Sequence, residues 1–134
     1  MTKIVIFQIQ CLKSLLSNEV IINKLNDELI ISRQIYDEFM HENNDWIIKL
    51  DSLVDKRIIK IQDMVILTDE YYTYRDMLKG KHGKIYSRCE SSSLSIAIHS
   101  NASLLTEKHE KQETNIGKHT LTWITLSDYL KSIN

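Results

Sequence analysis

The sequence predicts an α/β domain: a three-layer α/β/α sandwich around a central, mainly parallel, five-stranded sheet. Three observations carry that expectation. Short apolar runs of strand length alternate with stretches of three-to-four apolar spacing along the whole chain, the pattern of helices covering both faces of a parallel sheet. Proline is absent and glycine occurs only three times, too few turn-formers for a small β-sandwich or barrel. The 134 residues are 43% hydrophobic and 26% charged, the balance of one globular domain over residues 1–134 rather than of a disordered chain.

The elements follow in order. Lys3 to Phe7 is an unbroken apolar run and reads as a buried strand. Gln8 to Asn26 places Cys11, Leu12, Leu15 and Leu16, then Val20, Ile21 and Leu25, at helical spacing, so one or two helices follow. Glu28 to Ile31 is a second strand. Ser32 is a suitable cap for a helix to about Glu42 that turns Ile35, Phe39 and Met40 inward. Asp45 to Asp55 is amphipathic, with Trp46, Ile47, Leu50, Leu53 and Val54 on its apolar face. Ile58, Ile59 and Ile61 form a third strand, and Thr68 to Lys79 a helix with Tyr71, Tyr72, Tyr74 and Leu78.

Gly80 to Lys84 holds two of the three glycines and reads as an exposed loop. Ser87 to His99 is a helix, Ala102 to Thr106 a fourth strand, Glu107 to Thr114 a short helix and His119 to Trp123 a fifth strand. Leu126 to Ile133 closes the chain as a helix with Ser127 as its cap. Ligands of such sheets bind beyond the carboxyl ends of the strands, where strand order reverses.

Charge narrows the function classes. Seventeen basic and eighteen acidic side chains give a net charge of −1, so no global field draws the protein to a polyanion and any such site is a local patch. No apolar run approaches membrane-spanning length, and Met1-Thr2-Lys3 passes straight into a strand without a signal-peptide core. Cys11 and Cys89 make no disulfide framework; they read as small buried hydrophobes in a reduced, cytoplasmic protein. His41, His82, His99, His109 and His119 show no paired zinc-ligand spacing. Neither a Gly-x-Ser-x-Gly elbow nor a phosphate-cradling glycine loop occurs.

Three carboxylates stand where a solvated role is not the sole reading. Glu90 shares the inward face of its helix with Leu94 and Ala97, yet Ser87-Arg88-Cys89-Glu90 also fits a capping box. Glu38 lies at the edge of the apolar face of Ile35 and Phe39; Glu107 projects from the end of the Ala102–Thr106 strand, where it also suits a helix start. Brought to one sheet edge, three carboxylates would repel one another and favour a hard cation such as Mg²⁺ or Mn²⁺. Between positions 75 and 88, Arg75, Lys79, Lys81, Lys84 and Arg88 face Asp76 alone, a local surplus suited to phosphates or to plain solvation.

These stretches together resemble the PIN-domain family, small metal-dependent ribonucleases for the most part. The likeness spans nearly the whole chain. Lys3-Ile4-Val5-Ile6-Phe7-Gln8-Ile9-Gln10-Cys11-Leu12 is similar to the family's opening strand, and Ser32-Arg33-Gln34-Ile35-Tyr36-Asp37-Glu38-Phe39 to its second-strand exit and acidic helix. Arg88-Cys89-Glu90-Ser91-Ser92-Ser93-Leu94 resembles its Gly-Glu-Ala helix, and Leu104-Leu105-Thr106-Glu107-Lys108 the strand leading to its last acids. Gln8 stands where the family has its first aspartate, Cys89 where it has glycine, and Lys108 where the terminal pair offers a second acid.

The resemblance implies strand order 3-2-1-4-5 and a Mg²⁺- or Mn²⁺-dependent endoribonuclease, or a descendant of one with weakened activity. It assigns Glu38, Glu90 and Glu107 as catalytic metal ligands, Gln8 as a neutral oxygen ligand or substrate contact, and Lys79, Lys81, Lys84 and Arg88 as RNA-phosphate contacts. A protein inhibitor of toxin–antitoxin type and self-association as a homodimer belong to the same expectation. The alternative is a non-catalytic PIN-like module binding RNA or a protein through the same cleft, with Lys108 replacing the metal. A third reading is an interaction protein using apolar surface around Trp46 and the tyrosines.

Overall fold

The computed structural model describes residues 3–18, 27–42, 45–107, 115–116 and 118–133. Five strands make the central sheet: β1 (Lys3–Ile6), β2 (Glu28–Ser32), β3 (Ile59–Gln62), β4 (Ser103–Thr106) and β7 (Trp123–Thr125). They lie in the order β3-β2-β1-β4-β7 and every neighbouring pair is parallel. Among the described residues the helices are α1 (Ile9–Leu16), α2 (Arg33–His41), α3 (Trp46–Asp55), α4 (Asp69–Leu78), α5 (Arg88–Ser100) and α6 (Leu126–Ile133). The expected three-layer architecture and strand order are what the structure contains.

The central strands are apolar on both faces because both faces are covered. Ile4, Ile6, Leu29, Ile31, Ile59 and Leu105 pack with Leu12, Leu15, Ile35, Phe39 and Leu50 on one side. Val5, Phe7, Ile30 and Leu104 pack with Met77, Leu94 and Ile96 on the other. The period of two is the strand alternation itself.

Three local expectations are corrected. Met40 is not inward but exposed, one position past the buried Phe39 and so turned about 100° around α2 from it. The sheet's fifth strand is not His119 to Trp123. His119–Thr120 (β6) pairs antiparallel with Asn115–Ile116 (β5), and the chain joins β4 only from Thr122 onward, where Leu104 N donates to the Thr122 carbonyl at 2.8 Å. Leu104, Leu105 and Thr106 then align with Trp123, Ile124 and Thr125. The hairpin takes up the polar half of the alternating run and leaves the sheet its apolar half. Nor is Ser127 the cap of α6: Thr125 Oγ1 accepts from Asp128 N at 3.2 Å, so the residue ending β7 also opens the helix. The helix expected from Glu107 to Thr114 and the turns carrying Val20, Ile21 and Leu25 lie outside the described residues.

Candidate functional site

Strand order reverses at β1, which has β2 on one side and β4 on the other. The carboxyl end of β1 is therefore the switch point, and α5 is drawn onto it by an unusual helix face. Ser91, Ser92, Ser93 and Ser95 are fully buried; their small side chains let the helix approach the sheet, and two of them, Ser92 and Ser93, bond to its strands. Ser93 Oγ donates to the Ile6 carbonyl at 2.8 Å. Ser92 Oγ donates to the Cys89 carbonyl at 2.9 Å and lies 2.8 Å from Ser32 Oγ, which in turn caps α2 by accepting from Ile35 N. The starts of α2 and α5 are thus tied together beside the end of β1.

This arrangement opens a cleft of about 420 Å³ lined by Gln8, Ile9, Gln10, Glu38, Ser87, Cys89 and Glu90. Glu90 occupies the capping box that its sequence allows: Ser87 Oγ accepts from Glu90 N at 3.1 Å, and Glu90 Oε1 accepts from Ser87 N at 3.1 Å. Its other oxygen is also engaged, because Gln8 Nε2 donates to Glu90 Oε2 at 2.8 Å. Gln8 is the residue before α1, yet its side chain makes no capping bond and reaches across to α5 instead. The first turn of α1 therefore has no side-chain cap from Gln8, and its opening residues Ile9 and Gln10 line the cleft, at the end of the helix that favours negative charge.

Glu38 comes to the same cleft from α2, where Cys89 Sγ donates to its Oε2 at 2.8 Å. Burial, the bond to Glu38 and the Glu38 and Glu90 charges push the Cys89 thiol well above its usual range. Cys89 is buried, as its composition suggests, but it is also a hydrogen-bond donor in the site. Only its place against the family's glycine hinted at that.

The structure brings Gln8, Glu38 and Glu90 together and holds Glu107 outside that lining. Glu107 Oε1 accepts from Ser14 Oγ on α1 at 2.7 Å, and its charge adds to burial in pushing the Cys11 thiol up to about 12. Lys108 lies outside the described residues. Among the described residues no three His, Cys, Asp or Glu side chains are grouped so as to hold a metal ion. The donor chemistry agrees: Gln8 presents its amide NH₂ to Glu90, both Glu90 oxygens are occupied, and Glu38 is bonded to a protonated thiol. These residues, as arranged, do not fit a Mg²⁺ or Mn²⁺ ion.

The basic segment leads to the rim of the cleft. Lys79, Lys81, Lys84 and Arg88 are all exposed, and Arg88 opens α5 beside Ser87 and Cys89. Lys81 Nζ lies 3.7 Å from Asp76, and Lys84 Nζ stands 5.1 Å above the Tyr86 ring. The turn itself depends on Gly80 and Gly83, with φ of +71° and +101°, values that L side chains rarely adopt.

The combination of sheet order, flanking helices and an acidic cleft at the switch point defines a PIN-like fold. No protein-family model and no curated protein matches the chain in sequence, but solved structures share its fold. One is a chain of the VapBC2 complex from Rickettsia felis bound to a DNA fragment from its promoter. It is 20% identical with a TM-score of 0.58, over 91% of this chain and 98% of that one. Another belongs to VapBC-1 from nontypeable Haemophilus influenzae, 19% identical with a TM-score of 0.56, over 95% of this chain and 99% of the other.

Proposed function

We propose that this chain is a degenerate PIN-like nuclease of the toxin–antitoxin type, whose cleft receives RNA but whose metal-dependent cleavage is feeble or lost. The observation that carries this reading is the Gln8 Nε2 to Glu90 Oε2 bond. A carboxylate at position 8 would repel Glu90 and call for a cation between them; an amide satisfies it by donating a proton. Glu38 is satisfied in the same manner by Cys89. The cleft is therefore stable as it stands, with its acids answered by donors of the chain itself.

Its remaining features serve binding. The uncapped N–H groups of α1 favour a phosphate, and Lys79, Lys81, Lys84 and Arg88 supply positive charge along the approach. Likeness to chains of two VapBC complexes supports a protein partner that holds this one in check.

Fluorescence anisotropy with a labelled single-stranded RNA tests the reading. The natural protein is expected to bind, and Lys81→Glu with Lys84→Glu to weaken binding. The double variant should flatten the log–log salt slope by about 1.4, two single-strand phosphate contacts' worth. Binding that is absent, or unchanged in the double variant at low salt, would make the loop a solvated turn. Robust Mn²⁺-dependent cleavage by the natural protein, abolished by Glu90→Gln, would make the chain an active ribonuclease despite Gln8.

A further inference from the structure

A second cleft, of about 540 Å³, runs along β3 and shares no residue with the first. Among the described residues β3 is an edge strand, paired with β2 alone, so alternate residues direct their backbone N–H and C=O groups away from the sheet. Lining comes from both faces of the strand: Ile59 and Ile61 with Val54 of α3 on the face of the first core cluster, and Lys60 between them on the other face. Glu28 of β2 and Arg33 at the start of α2 complete the lining, so the cleft extends from β3 onto its neighbour.

Its charge is not balanced internally. Arg33 is paired with Asp63 at 2.7 Å, and Lys60 Nζ is 3.9 Å from Glu28. Arg57 is exposed and makes no ion pair among the described residues. It is also held in a backbone conformation that suits another residue. Arg57 N donates to the Val54 carbonyl at 3.0 Å and Ile58 N to the Leu53 carbonyl at 2.9 Å, the paired bonds of a Schellman motif ending α3. Arg57 occupies that motif's left-handed position, with φ of +62°, where glycine carries no Cβ penalty. A long cation at a glycine-favouring position, aimed at an apolar edge cleft, is strain that binding would explain.

We propose that this edge docks an extended acidic peptide segment of a partner protein, which adds a strand to β3. The peptide's backbone pairs with the free N–H and C=O groups, its apolar side chains rest on Val54, Ile59 and Ile61, and a carboxylate meets Arg57. The apolar floor of Val54, Ile59 and Ile61 favours a peptide that carries apolar side chains over a nucleic acid strand.

The test uses the full chain and a labelled, end-blocked octapeptide alternating valine with glutamate, followed by anisotropy. The acidic peptide should bind and its lysine counterpart should not; N-methylation of alternate peptide amides should abolish binding. Arg57→Gly should lower affinity at least tenfold while raising the melting temperature, and Arg57→Lys should retain most of the affinity. Arg57→Gly should also leave RNA binding at the other cleft unchanged, which separates this site from that one. Absence of peptide binding, equal binding of the two peptides, or full affinity in Arg57→Gly would overturn the proposal. So would Arg57-dependent binding of a ten-nucleotide oligouridine in the peptide's place.

Discussion

At the carboxyl end of the sheet, Glu38 and Glu90 each find a donor at 2.8 Å, from Cys89 and Gln8. Along β3, Arg57 meets no opposing charge among the described residues and sits in a backbone conformation better suited to glycine. The first cleft is the one its fold would mark as chemical, yet its side chains answer one another. The second is outside any expected site, and there a charge and a strand edge await a partner. The difference teaches that position in a fold identifies where chemistry can occur, while the state of the donors decides whether it does.

The largest effect should come from breaking the self-sufficiency of the first cleft. Gln8→Asp replaces a donor with a carboxylate facing Glu90, and should cost about 2–3 kcal/mol of stability in urea unfolding without metal. Millimolar Mn²⁺ should restore part of that loss in the variant and leave the natural protein unmoved. Glu90→Ala removes one half of the capping box and the acceptor of Gln8, for a loss of about 1–2 kcal/mol. A cost near zero would mean the cleft bonds contribute nothing to the fold.

On the other side of the comparison, Arg57→Gly should stabilise the protein by about 1 kcal/mol, since the left-handed position at the end of α3 then carries no side-chain clash. Destabilisation would show that Arg57 is held by packing, and would remove the contrast between the clefts.

The smallest effect is a pH dependence. Cys89 has a folded pKa above its ordinary 9.0, so folding favours the neutral thiol. The corresponding stability is fully present below about pH 9 and is lost as pH rises through the folded value. Glu38→Gln removes the acceptor charge that helps to raise it, so stability in the variant should decline less steeply on the alkaline side. Its Cys89 should also react several-fold faster with iodoacetamide at pH 8.5. Equal rates in the two proteins would mean the thiol does not face Glu38.

The sequence makes the three central strands legible because they are apolar on both faces, and it marks the caps Ser32 and Ser87 because each places an oxygen three residues before a helical N–H. His119 to Trp123 misleads because an alternating run looks alike in a hairpin and at a sheet edge; pairing to β4, not local pattern, chooses Trp123–Thr125. Glu38 and Glu90 are legible as residues in the right order along the chain. That Cys89, 51 positions from Glu38, would bond it is a tertiary fact. The turning of Glu107 towards Ser14 is another, fixed by how α1 packs rather than by any motif. Arg57 gives no sequence signal, since glycine and asparagine are the usual marks of a left-handed residue.

Calorimetric titration of Mn²⁺ into the natural protein and into Gln8→Asp, both at neutral pH, tests the central claim that the first cleft is satisfied without a metal. No measurable heat of site binding is expected in the natural protein, and a saturable one-site isotherm in the variant. Saturable Mn²⁺ binding by the natural protein, lost in Glu90→Gln, would contradict it.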